Sequence, residues 1–102
     1  MQDALPIKRL RRLLTSENLW LYILSLLKKK RLYAYEIDKQ IESEFSFKPN
    51  KIMIYVVLYR LEDEKLISSK FEQRRKYYEI TEKGAETLAQ ARAYFKTLSS
   101  KL

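Results

Sequence analysis

The residues able to do chemistry in this chain form a narrow set. Its 102 residues include no histidine and no cysteine. That excludes imidazole general bases, thiolate nucleophiles, disulfides and the commonest zinc ligands. Carboxylates, Ser, Thr, Tyr and Lys remain. Glu36, Asp38, Glu42 and Glu44 lie close together, as paired carboxylates for acid–base work or a metal site would. No apolar sequence neighbours raise a carboxyl pKa there and no base partners them, so they read as a solvated helix face. No catalytic residue, cofactor or metal is expected, and the chain is not read as an enzyme. The other available chemistry is electrostatic. Lys plus Arg number 21 against 13 Asp plus Glu, a net charge of +8, which suits a polyanion. Lys70, Arg74, Arg75 and Lys76 gather in one short stretch, where cations neutralise phosphates by releasing counterions.

The elements that position these groups follow from periodicity and from few breakers. Hydrophobic residues make up 46% of the chain and charged residues 33%, a globular composition of single-domain length. The longest apolar run, Leu19 to Leu27, falls far short of the ~20 residues that cross a bilayer. The start, with Arg9, Arg11 and Arg12, lacks the pattern of a secretory leader. A cytoplasmic location and no membrane partner are expected. Pro6 opens a short amphipathic helix with Ile7, Leu10, Leu13 and Leu14 on one face and Lys8, Arg9, Arg11 and Arg12 on the other. Thr15-Ser16-Glu17 reads as the capped start of a second helix. Leu19, Trp20, Ile23, Leu24 and Leu27 form its core stripe, with Trp20 read as core. Its end, Lys28-Lys29-Lys30-Arg31, reads mainly as compensation of the helix dipole. Leu32 and Tyr33 lead into a third helix over 34–45, with Ile37 and Ile41 on its buried side.

Asn50 caps a fourth helix predicted over 51–65, on which Ile54, Leu58, Leu61 and Lys65 continue one stripe. At ~100° per residue this places Ile52, Met53, Val56, Tyr59 and Arg60 on the opposite, outer side. The period then changes to two. Ile67, Ser69 and Phe71, followed by Tyr78 and Ile80, alternate with polar residues about a basic tip at Gln73-Arg74-Arg75, which predicts a β-hairpin without a glycine turn. Thr81 caps a last helix on which Leu88, Ala91, Phe95, Leu98 and Leu102 recur at spacings of 3 and 4. Such a seam buries against its own domain or a second copy.

This order of elements is that of a winged helix-turn-helix. The expected fold is mainly α with a small β-hairpin wing (α+β), carrying an extra N-terminal helix and a C-terminal dimerisation helix. One domain, 1–102, divides into an N-terminal helix at 4–14, the winged core at 16–81 and the C-terminal helix at 82–102. The helix from Lys51 has the width that the major groove accepts, and the hairpin brings Lys70, Arg74, Arg75 and Lys76 to phosphates. Tyr33, Tyr35, Tyr55, Tyr59 and Tyr77 border that surface, whereas Tyr22, Tyr78 and Tyr94 read as packing residues.

These segments also carry a resemblance. YVVLYRLEDEKLI, Tyr55 to Ile67, resembles the recognition-helix signature of the PadR family of transcriptional regulators. YAYEI from Tyr33, LWLYILSLL from Leu19 and RKYYEITEKG from Arg75 are similar to that family's other core segments, in the same order. The resemblance implies a cytoplasmic, dimeric, sequence-specific DNA-binding repressor. It implies that Tyr35 and Tyr55 touch DNA backbone, that the first turns after Asn50 read bases, and that Arg75, Lys76 and Tyr77 serve the wing. It also implies an unknown small-molecule effector as a further partner. Val56 stands where the family usually has Pro, Lys65 where it usually has Gly, and Ile52 and Met53 where small or hydroxyl residues are usual.

The combined reading is a homodimer on a roughly palindromic duplex. Asn50, Lys51, Ile52, Met53, Tyr55, Val56, Tyr59 and Arg60 of the fourth helix join the wing residues and Tyr33 and Tyr35 at DNA. Leu10 and Leu14 join Leu88, Ala91, Phe95, Leu98 and Leu102 in the dimer. Two other readings compete. Ile52, Met53 and Val56 also suit a protein-contact patch, and the helix at Pro6–Leu14 also suits a membrane surface, with little apolar area for it.

Overall fold

Leu19, Ile23, Leu24, Leu26 and Leu27 are all buried, and the helix that carries them is the spine of the structure. In the computed structural model, which describes residues 2–102, the helices are α1 (Leu5–Leu14), α2 (Leu19–Lys29), α3 (Ala34–Phe45), α4 (Lys51–Asp63) and α5 (Glu82–Lys101). The strands are β1 (Leu32–Tyr33), β2 (Ile67–Glu72) and β3 (Arg75–Ile80), in an antiparallel sheet of order β1-β3-β2. Around α2 pack Ile37 and Ile41 of α3, Ile54, Leu58 and Leu61 of α4, and Ile67 and Tyr78 of the hairpin. The expected mainly helical, winged architecture is therefore what the chain forms. The strand β1 is an addition: two residues are too few to show alternation, and it exists because Leu32 pairs with Tyr78 and Tyr33 with Tyr77.

Local signals hold at some junctions and are overruled at others. Asn50 caps α4 as expected, its Oδ1 accepting from the amides of Ile52 (2.9 Å) and Met53 (3.2 Å). Thr15 does not cap α2; its hydroxyl donates back to the Arg11 carbonyl at 2.7 Å and closes α1. A single 3₁₀ turn, Ser16–Asn18, intervenes before α2. Helix α4 stops at Asp63 rather than at Lys65. Lys65 instead takes φ 64°, its amide donating to the Glu62 carbonyl and that of Leu66 to the Leu61 carbonyl. This is the left-handed exit that glycine adopts most cheaply. Lys65→Gly is accordingly expected to raise stability by about 1 kcal/mol, read as a higher urea midpoint at unchanged slope.

The wing turns on Gln73 (φ 48°) and Arg74 (φ 70°). Two successive positive φ values give the turn whose twist matches the strands it joins, here without glycine. The tip is thus two residues, and Arg75 already belongs to β3. At the wing's base the Thr81 hydroxyl donates to the Lys65 carbonyl at 2.7 Å and accepts from the Gly84 amide at 3.0 Å, so α5 starts locked to the exit of α4.

Two expectations about faces change. Asp38 is only 8% exposed, so it leaves the solvated carboxylate face assigned to α3. Leu88 is 5% exposed within the single chain. It packs into the chain's own core and has little area left for a second copy. Beyond it α5 projects: Phe95, Leu98 and Leu102 remain exposed, as does Tyr94, which was expected to pack. Helix α1 buries none of its residues.

Candidate nucleic-acid interface

Burying Ile54, Leu58 and Leu61 divides the rest of α4 between two flanks. Ile52, Tyr55 and Tyr59, spaced i, i+3 and i+7, form one stripe and are 74%, 61% and 73% exposed. Large apolar and aromatic side chains left in water on one stripe mark a contact surface. Val56 beside them is half-buried. Met53 and Arg60 lie on the other flank, where with Val57 and Trp20 they line a cleft of about 670 Å³. Both are exposed, as their place on the outer half of the wheel predicts, and they form the edge of that half nearest Trp20. Trp20 is half-buried rather than enclosed, its Nε1 donating to Asn18 Oδ1 at 3.2 Å. Tyr35 and Tyr55 do come together, with Lys51, in a small cleft between the first turns of α3 and α4.

The hairpin register separates its cations. Lys76 shares a face with Tyr78, Phe71 and Ser69 and turns toward α4, its Nζ 3.6 Å from Glu62 Oε1. Glu62 also accepts from the Ser69 hydroxyl. Burial pushes the Tyr78 hydroxyl above the ordinary tyrosine range, partly offset by Lys76. Lys70, Arg75 and Tyr77 lie on the other face, where aromatics and cations interleave. The Arg75 guanidinium sits 4.6 Å from the Tyr33 ring centre and Arg31 4.4 Å from that of Tyr77. Tyr33 meets Tyr77 edge-on at 5.6 Å and stacks on Tyr35 at 6.5 Å. Arg31 also pairs with Glu72. Among the described residues, Lys70 and Arg74 make no ion pair.

Sequence reading missed Arg31, Glu62 and Glu72 as parts of this surface. Arg31 was assigned to a helix-end charge run, and its partner lies 41 residues away, so no local pattern connects them. Along the seam, Leu14 and Phe95 line one apolar groove of about 300 Å³ with Tyr22 and Phe45, whereas Leu10 faces elsewhere beside Leu5 and Leu13. Among the described residues no cluster of acidic side chains is placed to hold a metal, and no helix is long and apolar enough to cross a membrane.

A family model, that of the transcriptional regulator PadR-like family, matches residues 23–90, from the core stripe of α2 through the wing to the buried half of α5. The chain belongs to the PadR-like family. Among solved structures this PadR-like chain is similar to a PadR family transcription regulator from Clostridium difficile R20291. The two are 30% identical with a TM-score of 0.74, over 79% of this chain and 90% of the other. It is similar over nearly its whole length to a transcriptional regulator from Clostridium thermocellum, at 25% identity and TM-score 0.78, covering 97% and 93% of the two chains. A third likeness is to Bacillus subtilis PadR in complex with operator DNA, at 28% identity and TM-score 0.64, over 71% of this chain and 44% of that one. No curated protein matches the sequence. The chain also shares its fold with F93 from STIV, a winged-helix DNA-binding protein, at 19% identity and TM-score 0.72 over 82% of this chain and 92% of that one.

Proposed function

We propose that this chain is a homodimeric transcriptional repressor that binds a palindromic operator, each protomer placing α4 in the major groove and its wing on the flanking backbone. The observation that carries the reading is the exposed stripe Ile52, Tyr55 and Tyr59 beside a hairpin whose Lys70 and Arg74 are unpaired among the described residues. A helix of this size fits the major groove. Apolar side chains there suit thymine methyl groups, while Tyr35, Lys51, Tyr55, Arg74 and Arg75 suit phosphates. The solved complex of Bacillus subtilis PadR with operator DNA supports the same use of the shared fold.

In this reading residues 1–102 form one domain, with 16–81 serving DNA and 4–14 and 82–102 serving assembly. The protein works in the cytoplasm, and repression follows from occupying the operator. Any signal it answers is an organic effector, a partner or its own abundance, since it has no Cys or His for thiol or imidazole sensing. Half-sites are expected about one helical turn apart.

In vitro selection from random duplexes tests this directly, with an enriched two-fold motif as the expected result. The absence of enrichment would turn the α4 stripe into a protein-contact patch. A second measurement addresses the wing. Replacing Lys70, Arg74 and Arg75 with Ala is expected to reduce the slope of log affinity against log salt by about 0.9 per lost phosphate contact. An unchanged slope would remove the wing from the interface.

A further inference from the structure

Outside the wing, cations gather around a groove of about 740 Å³ between the end of α1 and the α3–α4 connection. Lys8, Arg11 and Arg12 line it from α1 and Lys48 from the connection, over a floor that includes Phe45 and Phe47. Among the described residues no carboxylate lines it. Arg11 is partly neutralised by Asp3, 2.5 Å away. Lys8, Arg12 and Lys48 make no ion pair among the described residues.

Cations at the end of a helix ordinarily compensate its free carbonyls. Here that need is already met by neutral groups. Thr15 donates to the Arg11 carbonyl, Asn18 to the Leu13 carbonyl and Tyr22 to the Leu14 carbonyl. The end of α3 is closed by the Ser46 amide donating to the Glu42 carbonyl. The three cations are therefore held together without a capping role, and like charges held together favour a polyanion. Lys48 precedes by two residues the Asn50 that caps α4. Three Cα steps, at most about 11 Å, separate it from Lys51. At ~3.4 Å of axis per phosphate on each strand, that reach covers about three phosphates.

We propose that this groove is a second phosphate-binding surface, which holds DNA backbone beside the α4 contact through Lys8, Arg12 and Lys48. The inference rests on the DNA-binding reading above and extends the footprint of each protomer from the wing side of α4 to its opposite end. Leu5, Leu10 and Leu13 lie on a separate stripe of α1, so one helix serves DNA and a second copy with different faces.

The test compares full-length wild type with a Lys8→Ala, Arg12→Ala, Lys48→Ala variant on a long mixed-sequence duplex over a salt series. The slope is expected to fall by about 2 to 3 for each bound protomer, near 0.9 for each lost phosphate contact. Thermal midpoint and sedimentation should not change. Combined with the wing replacements, the two losses should add, because they concern different phosphates. A variant that keeps the wild-type slope overturns the groove while leaving the DNA reading standing. Wild type that fails to bind the duplex at low salt overturns both. Vesicles of phosphatidylcholine and phosphatidylglycerol form the last arm: binding that the variant abolishes, with the DNA slope unchanged, would reassign the groove to a lipid surface.

Discussion

Gly84→Ala is expected to lower stability by about 3 kcal/mol, at the upper end of overpacking effects, and the melting temperature by about 12–24 °C. Gly84 is the only glycine in the chain and lies in the first turn of α5. A Cβ there would stand 2.0 Å from the Leu66 carbonyl oxygen and 2.9 Å from Ile80 Cγ1. The first obstacle is backbone, so no rotamer change relieves it, and α5 would have to move off the base of the wing. That movement would strain the bond from the Thr81 amide to Leu66 and that from the Lys83 ammonium to the Glu64 carbonyl. Alanine's better helix propensity returns only about 1 kcal/mol, so the steric term wins. Circular dichroism melts of Gly84→Ala beside Glu86→Ala, an exposed site on the same helix, measure it. A retained midpoint would show that α5 does not approach the wing this closely.

Phe95→Glu combined with Leu98→Glu is expected to yield a folded monomer whose affinity for a two-fold operator falls by about 10²–10⁴, the usual loss when a bivalent contact becomes monovalent. Helix α5 has 20 residues, about 30 Å at 1.5 Å per residue, yet Leu88 is its last buried residue. The rest projects from a molecule measuring 47 × 27 × 21 Å, with Phe95, Leu98 and Leu102 in water. A seam of that kind is stable when a second copy covers it. Two carboxylates would have to be desolvated there without partners. Sedimentation reads the assembly and fluorescence anisotropy the affinity. A variant that stays dimeric would move the interface off α5; a monomer with full affinity would end the two-fold reading.

Much of the fold was legible because its signals are local. Asn50 ahead of the Ile54, Leu58 and Leu61 stripe predicts α4 and its cap, and both are present. Alternation through Ile67, Ser69 and Phe71 predicts a strand, and the hairpin forms although its turn lacks glycine. Thr81 caps α5 as read, by accepting from the Gly84 amide. The candidate surface was less legible. Helical phase placed Ile52 and Tyr59 outside correctly, but which flank faces the Trp20 cleft depends on how α4 docks on α2. The run Lys28 to Arg31 looked like one dipole-compensating unit, yet Arg31 leaves it to meet Glu72 and Tyr77.

By itself, the order of residues determined the absence of thiol and imidazole chemistry, the excess of eight positive charges, the helical and strand periods and the Asn50 and Thr81 caps. Each depends on composition or on neighbours within about one helical turn. Tertiary structure alone decided the pairing of Leu32 with Tyr78, the burial of Asp38 and Leu88, and the approach of Lys76 to Glu62. It also decided that the cations of α1 share a groove with Lys48. These are contacts between segments distant in sequence. They are set by how the elements pack around α2, and no local pattern records that packing.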